Sequence, residues 1–157
     1  MDEILPEHTV TSYDDELNTM TSTILRMGGM AEQQLSNAIK SLMTRDAEMA
    51  SHVVAADIHM DNAEHEVDQQ VFRLLALRQP MAIDLRLITT SLKISSDLER
   101  IGDYATNIAK RASAISAVEG IRPFAIIPSM SQTVQLMIKD VLDSYMARDV
   151  EKALQVW

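Results

Sequence analysis

The chain has 157 residues, 46% of them hydrophobic and 24% charged, which is enough material for one globular domain with its own core. Its formal net charge of −9 argues against a nucleic-acid-binding surface, because such a surface needs clustered basic side chains. The sequence contains no cysteine, so disulfides and cysteine-bound metals are excluded. Any metal would therefore be held by oxygen or imidazole.

The N-terminus has neither the basic region nor the apolar stretch of a signal peptide, and no apolar run approaches the length of a transmembrane helix. We therefore expect a cytoplasmic protein without membrane insertion. Glycine and proline are scarce, at four residues each, and only 4% of the chain is aromatic. A sheet protein would contain more of both kinds, so this composition favours an all-α fold.

Apolar residues recur every three or four positions along three long segments, which predicts three amphipathic helices. Short connections between helices of this length require antiparallel neighbours, so the segments form a three-helix up-down bundle. The first helix runs from Leu17 to about Thr44, the second follows an N-cap at Asp46 and ends at Arg78, and the third runs from between Pro80 and Asp84 to about Val118.

The chain divides into four parts on this interpretation. Residues 1–15 are an N-terminal tail, 16–118 the first bundle, 119–128 a linker, and 129–157 the start of a second unit. A shift of 103 positions places residues 40–54 over 143–157 with seven of fifteen pairs identical, where chance gives about one. This predicts an internal duplication whose second copy is incomplete.

The incomplete second unit should leave an apolar stripe of its first helix uncovered by the first bundle. Exposed apolar side chains of this size favour association, since burying each one is worth about 1.5–3 kcal/mol. We therefore expect the chain to form a homodimer through this stripe. The stripe consists of Val134, Met137, Ile138, Val141, Leu142 and Tyr145.

Four carboxylates lie along one side of the predicted second helix, because they are spaced by four, three and four residues. Like charges four residues apart cost a helix about 0.2–0.5 kcal/mol per pair, so helix formation alone gives no reason for them. A solvated acidic surface is the simpler interpretation, and a metal site is the alternative. The four residues are Asp57, Asp61, Glu64 and Asp68.

The predicted third helix carries a second acidic pair, Glu99 and Asp103, four residues apart on one face. Antiparallel partners in the second and third helices have residue numbers that sum to roughly 162, which places Glu64 beside Glu99 and Asp61 near Asp103. Carboxylates from two adjacent helices would suit Mg²⁺, Mn²⁺ or iron. Arg100 could instead neutralise Asp103 in a surface ion pair worth at most about 1 kcal/mol.

Two histidines, His59 and His65, flank the four carboxylates of the second helix and are further candidate metal ligands. The chain lacks the paired Glu-x-x-His motifs of carboxylate-bridged di-iron bundles, which argues against an oxidase of that kind.

Three glycines interrupt the predicted helices, each at a cost of about 1 kcal/mol relative to alanine. Gly28 and Gly29 lie inside the first helix and most simply permit another helix to pack closely. Gly102 lies in the third helix between the two acidic residues, so we expect another part of the chain to approach the backbone there.

Three separated motifs stand out within these helices. They are MGGMAEQQL at 27–35, RQP at 78–80 leading to DLR at 84–86, and DLERIGD at 97–103 followed by Asn107 and Ile108. Together and in this order they resemble the PhoU family of phosphate-signalling proteins over roughly residues 16–157. The resemblance implies a fold of two three-helix bundles related by an internal repeat, which agrees with the 103-residue offset.

The resemblance also implies multinuclear metal binding at pairs of E(D)xxxD motifs. Glu99-xxx-Asp103 matches one motif, and Glu64-xxx-Asp68 matches the other, with Asp57-xxx-Asp61 as a competing match. The implied function is that of a cytoplasmic regulator, not an enzyme. It would repress the phosphate-starvation response by linking the ATPase of the phosphate ABC transporter to a sensor histidine kinase. A metal-dependent enzyme on a helical bundle and a purely structural helical adaptor remain the alternatives.

Overall fold

The computed structural model of the chain describes residues 7–120 and 124–157, with side chains described from Ser12 onward. Residues 1–6 of the expected tail and 121–123 of the expected linker lie outside the described residues. The described residues form five helices and confirm the all-α fold. The helices are α1 (Glu7–Thr44), α2 (Ala47–Arg78), α3 (Ala82–Ser116), α4 (Ile127–Ala147) and α5 (Val150–Val156).

Helix α1 begins well before Leu17, where the apolar repeat starts, and so includes part of the segment expected to be a tail. Contacts with α2 and the core hold these first turns. Tyr13 packs against the core, and Arg78 at the end of α2 donates to Ser12 Oγ at 2.7 Å and to the two Glu16 carboxylate oxygens at 2.9 and 3.0 Å. These partners are more than 60 residues apart, so apolar spacing could not reveal them.

Helices α1, α2 and α3 all pack against one another and form the predicted bundle. Its core consists of two groups of buried residues. We call the first the large-residue cluster; its bundle members are Met20, Ile24, Met27, Ala31, Met60, Ala63, Val67, Val71, Leu74, Ile88 and Leu98. We call the second the alanine cluster; it contains Leu35, Ala38, Ala50, Val53, Ala105, Ala109 and Ala112.

Helix α4 packs against α1, and α5 packs against α4. Ile138 and Leu142 of α4 are buried with the large-residue cluster, and the Tyr145 hydroxyl lies 3.0 Å from Ser91 Oγ of α3. Gly28 of α1 permits this approach, because a Cβ atom there would overlap the Leu142 side chain. This confirms the expectation of close helix packing at Gly28. At Gly29 a Cβ would meet nothing, so its expected packing role is wrong.

The expectation that the first bundle leaves the whole α4 stripe uncovered is therefore wrong. Ile138, Leu142 and Tyr145 contact the first bundle because Gly28 offers a flat surface on α1. The remaining members of the stripe are exposed, as expected; they are Val134, Met137 and Val141.

The two turns that the sequence repeat aligns have the same N-cap. The Asp46 carboxylate accepts a hydrogen bond from the Met49 backbone N–H at 2.9 Å, as predicted, and the Asp149 carboxylate accepts one from the Lys152 backbone N–H at 3.0 Å. Each cap satisfies a backbone donor that the first turn of a helix would otherwise leave without a partner.

The helix ends that precede these caps also match. Ser41 Oγ donates to the Ala38 carbonyl at 2.8 Å, and Ser144 Oγ donates to the Val141 carbonyl at 2.7 Å. Two residues separate the helices in each case, and the first of them is left-handed: Arg45 has a φ of 57° and Arg148 a φ of 52°. The two turns that the 103-residue offset aligns therefore have the same local geometry.

The described part of the chain contains no helix that combines the length and the apolar composition needed to cross a membrane.

The pair formed by Glu16 and Arg78 should make stability depend on pH. The hydrogen bond from Arg78 holds the pKa of Glu16 below its ordinary value of 4.5, against the opposing effect of burial. A lowered folded-state pKa contributes stability above the unfolded pKa, and this contribution is lost as the pH falls through the folded pKa. Glu16→Gln should therefore cost about 1 kcal/mol at pH 7 and progressively less below pH 4.5.

Urea unfolding of Glu16→Gln at pH 7 and pH 4 checks this expectation, with Asp15→Asn as the matched exposed control. An equal loss of stability at both pH values would show that the Glu16 charge does not contribute.

Candidate functional site

Carboxylates of α2 and α3 come together at the middle of the bundle. The two helices meet at the level where Met60 faces Gly102: a Cβ at Gly102 would lie 3.3 Å from Met60 Cγ. Their numbers sum to 162, so the predicted antiparallel pairing is confirmed. We call the five carboxylates at this level the acidic cluster; they are Asp57, Asp61 and Glu64 of α2 with Glu99 and Asp103 of α3.

The charges of the acidic cluster act on one another. Burial raises the pKa of Glu99, and the nearby charges of Asp103, Glu64, Asp61 and Asp57 raise it further, in that order. Each of these carboxylates therefore makes ionisation of Glu99 less favourable. Negative charge on Glu99 therefore destabilises the folded protein, and a bound cation would offset this effect.

Asp57 has one carboxylate oxygen buried within the bundle. Its Oδ1 atom is fully buried and has no hydrogen-bond partner among the described residues. Burial raises the pKa of Asp57, the Thr106 hydroxyl lowers it, and the charges of Asp61 and Asp103 raise it. Thr106 Oγ1 is likewise buried and has no hydrogen-bond partner among the described residues.

The sequence left open that Arg100 neutralises Asp103 in a surface ion pair, and the structure does not show that pair. Arg100 pairs with Asp97, at 3.3 Å, instead of with Asp103. Lys110 is the basic residue that favours the charged form of Asp57, and its effect is the smallest of those acting there. Surface ion pairing therefore does not explain the cluster.

The other sequence candidates lie outside the acidic cluster. Asp68 is one turn beyond Glu64 and is not among the charges that raise the pKa of Glu99 or Asp57. His65 is exposed and lies 2.9 Å from Gln69 Nε2, while His59 faces the opposite side of α2. The structure therefore groups Asp57 and Asp61 with the α3 pair more closely than it does Asp68.

Among the side chains described, those of residues 12–120 and 124–157, no three from His, Asp or Glu bring their donor atoms close enough to hold one metal ion. The acidic cluster is a set of facing carboxylates spread over two turns of α2 and one turn of α3. Binding of a single ion would require rotation of these side chains about their own bonds.

A groove of about 1020 Å³ runs between α1 and α2. Its lining is mainly uncharged and includes Gly29, Met30, Gln33, Asn37, His52 and His59. It contains none of the clustered carboxylates, so its volume does not bear on metal binding.

Sequence reasoning missed two buried polar residues beside the acidic cluster, Gln34 of α1 and Thr106 of α3. The one available signal was Gly102. The expected close approach is confirmed, because a Cβ at Gly102 would lie only 2.8 Å from Gln34 Oε1. Nothing in the spacing of Thr106 distinguished it from an ordinary helical residue.

A family model described as the PhoU domain matches residues 24–112, which include the whole acidic cluster. The chain is 44% identical to the phosphate-specific transport system accessory protein PhoU homolog of Caulobacter vibrioides, over 98% of this chain and 67% of that protein. This chain belongs to the PhoU family. The PhoU homolog of Zymomonas mobilis is 39% identical, over 95% of this chain and 63% of that protein.

Solved PhoU structures have the same fold. The crystal structure of PhoU from Pseudomonas aeruginosa superposes with a TM-score of 0.85 at 36% identity, over 91% of this chain and 69% of that one. PhoU from Streptococcus pneumoniae gives 0.84 at 27% identity, over 92% and 68% of the two chains. The chain spans about two thirds of the length of these PhoU proteins. The resemblance inferred from the three sequence motifs is confirmed.

Proposed function

We propose that this chain acts in the control of phosphate uptake, as an accessory protein of a phosphate-specific transport system. The observation that carries the proposal is its 44% identity, over 98% of its length, to a protein of that name. The proposed role is regulatory and not catalytic. The chain would repress the phosphate-starvation response in the cytoplasm by contacting the ATPase of the phosphate ABC transporter and a sensor histidine kinase.

The proposal includes metal binding at the acidic cluster, by Mg²⁺, Mn²⁺ or iron. Hard cations prefer carboxylate oxygen, and five carboxylates face each other here, none of them in an ion pair with an arginine of the described residues. Asp57, Asp61, Glu64, Glu99 and Asp103 would supply the ligands, and Asp68 would extend the site along α2. A bound cation would supply positive charge that offsets the repulsion between these side chains.

Deletion of the gene tests the regulatory role. We expect phosphate-starvation genes to be expressed in phosphate-rich medium in the deletion strain, measured with a reporter fused to a starvation-induced promoter. Expression of the unchanged chain should restore repression, as should the control variant Asp97→Asn, whose charge lies outside the acidic cluster. A reporter that stays silent in the deletion strain would count against the regulatory role.

A further inference from the structure

The side of the bundle on which α2 and α3 lie next to each other has an acidic half and an apolar half. Phe72 follows Asp61 by 11 residues, about three helix turns, so both side chains leave α2 in the same direction. Leu85 precedes Asp103 by 18 residues, about five turns, so both leave α3 in the same direction. We call this side the α2–α3 face; it consists of the acidic cluster, Asp68, Ser96, Phe72 and Leu85.

The apolar half of the α2–α3 face is open to solvent. Phe72 is 65% exposed and Leu85 is 41% exposed. Leu75, one turn after Phe72, packs against the large-residue cluster, so the exposed side chains continue the apolar surface of the core outward. Covering large apolar side chains of this kind favours association with another molecule.

The acidic half of the α2–α3 face has unused hydrogen-bonding and charge capacity. No carboxylate of the acidic cluster forms an ion pair within residues 12–120 and 124–157. The Thr106 hydroxyl, which acts on Asp57 from the interior, is 2% exposed and has no partner among the described residues. Basic side chains of another molecule would complement this charge.

The clustered carboxylates are spread along the face and are not gathered around one point. No three described side chains could hold one metal ion, and the carboxylates extend about 10 Å along α2, from Asp57 to Glu64. Such a row suits several cations, each on its own side chain, without rotation of the carboxylates. Lysine or arginine residues three or four positions apart on a helix present their charges at this repeat.

The length of the α2–α3 face suits a helix. At a rise of about 1.5 Å per residue, Asp61 and Phe72 are about 16 Å apart along α2, and Leu85 and Asp103 about 27 Å apart along α3. A helix of about 18 residues therefore spans both halves. Among the described helices, neither α4 nor α5 packs against α2, so this face is left for another molecule.

We propose that the α2–α3 face binds an amphipathic helix of a protein partner, with lysine or arginine residues at one end and apolar residues about three to five turns away. The basic residues lie against the acidic cluster, and the apolar residues cover Phe72 and Leu85. The inference rests on the proposed regulatory role, since it states which surface contacts a partner. It does not depend on metal binding.

Binding of synthetic helical peptides to the 157-residue chain tests the inference, measured by fluorescence anisotropy in the presence of a chelator. The probe peptide has about 18 residues, with lysines at one end and leucines at the other end of a single helix face. The control peptide has the same composition, but its lysines and leucines alternate along that face. We expect the probe to bind about tenfold more tightly than the control peptide.

Variants of exposed residues test each half of the face. Phe72→Ala should weaken probe binding about tenfold, whereas Phe124→Ala is the matched control, because Phe124 is 79% exposed and lies outside the α2–α3 face. Asp61→Asn with Asp103→Asn should weaken binding about fivefold and reduce its dependence on salt. Asp97→Asn, a charge change on α3 outside the acidic cluster, should leave binding unchanged.

Equal affinity for the probe and the control peptide would overturn the inference, as would unchanged probe binding by Phe72→Ala or by the double variant. Expression in the deletion strain separates this inference from the proposed regulatory role. We expect Phe124→Ala to restore repression of the reporter and Phe72→Ala to restore it incompletely. A reporter that stays silent in the deletion strain would overturn the regulatory role. A reporter that responds, and that Phe72→Ala represses as fully as the unchanged chain, would overturn the inference alone.

Discussion

Replacement of Glu99 by Gln and Asp103 by Asn together is expected to remove metal binding while leaving the helices intact. Both side chains belong to the acidic cluster, and each amide keeps the shape of the carboxylate without its charge. In known metal sites, loss of a residue that only hydrogen-bonds to a metal ligand weakens binding about 10- to 100-fold. Loss of two proposed ligands should therefore weaken Mn²⁺ or iron binding by about 100-fold or more.

The same double variant should unfold at a higher temperature than the unchanged protein when no metal is present. Burial and four neighbouring carboxylates raise the pKa of Glu99, so its charged form is less favourable in the folded than in the unfolded protein. Removing two of the charges relieves that repulsion. Circular dichroism during heating in a chelator provides this measurement.

Asp97→Asn is the matched control, because Asp97 lies on the same helix and pairs with Arg100 outside the acidic cluster. It removes one negative charge and should leave metal affinity unchanged. Equal uptake of Mn²⁺ by the double variant and the unchanged protein would show that the ligands are elsewhere.

The 157-residue chain is expected to associate with itself through the exposed side of α4. Val134, Met137 and Val141 remain exposed there after Ile138 and Leu142 have packed against α1. Val150 and Leu154 of α5 are exposed apolar residues as well. Fully burying a side chain of this size is worth about 1.5–3 kcal/mol, so two copies gain by covering one another.

Val141→Asp should weaken this association about tenfold or more while the α1–α3 bundle stays folded. Gln132→Asp adds the same charge at an exposed polar position of α4 and should have little effect. Ile138→Asp is unsuitable, because Ile138 is buried and its replacement would also disturb the contact with α1. In sedimentation equilibrium at tens of micromolar, a monomer unaffected by Val141→Asp would rule out association through this face.

The residues of α2 and α3 that lie opposite each other could be predicted, because this pairing depends on local properties of the sequence. Apolar spacing predicts the helices, Gln79-Pro80 predicts the turn, and a regular rise along each helix then fixes which residues are opposite. Met60 meets Gly102 for this reason, and the acidic cluster follows.

Features that depend on contact between distant residues were not predictable in this way. The first turns of α1 are held by Arg78, and the docking of α4 depends on the contact between Gly28 and Leu142. Gln34 has no unusual spacing, and its burial results from the close approach of three helices at Gly102. Gly28 and Gly102 each indicate in the sequence that another part of the chain packs closely, but they do not indicate that the partners are Leu142 and Gln34.

The turn between α1 and α2 and the turn between α4 and α5 have the same geometry although their surroundings differ. Arg45 donates to the Ile115, Ser116 and Val118 carbonyls at the end of α3, whereas α5 packs against α4 alone among the described helices. Both turns nevertheless have the same caps and the same left-handed residue. The reversal of chain direction is therefore encoded by a few neighbouring residues and does not need a third helix behind it. Each unit can exchange its buried side chains during evolution and still send its next helix in the same direction.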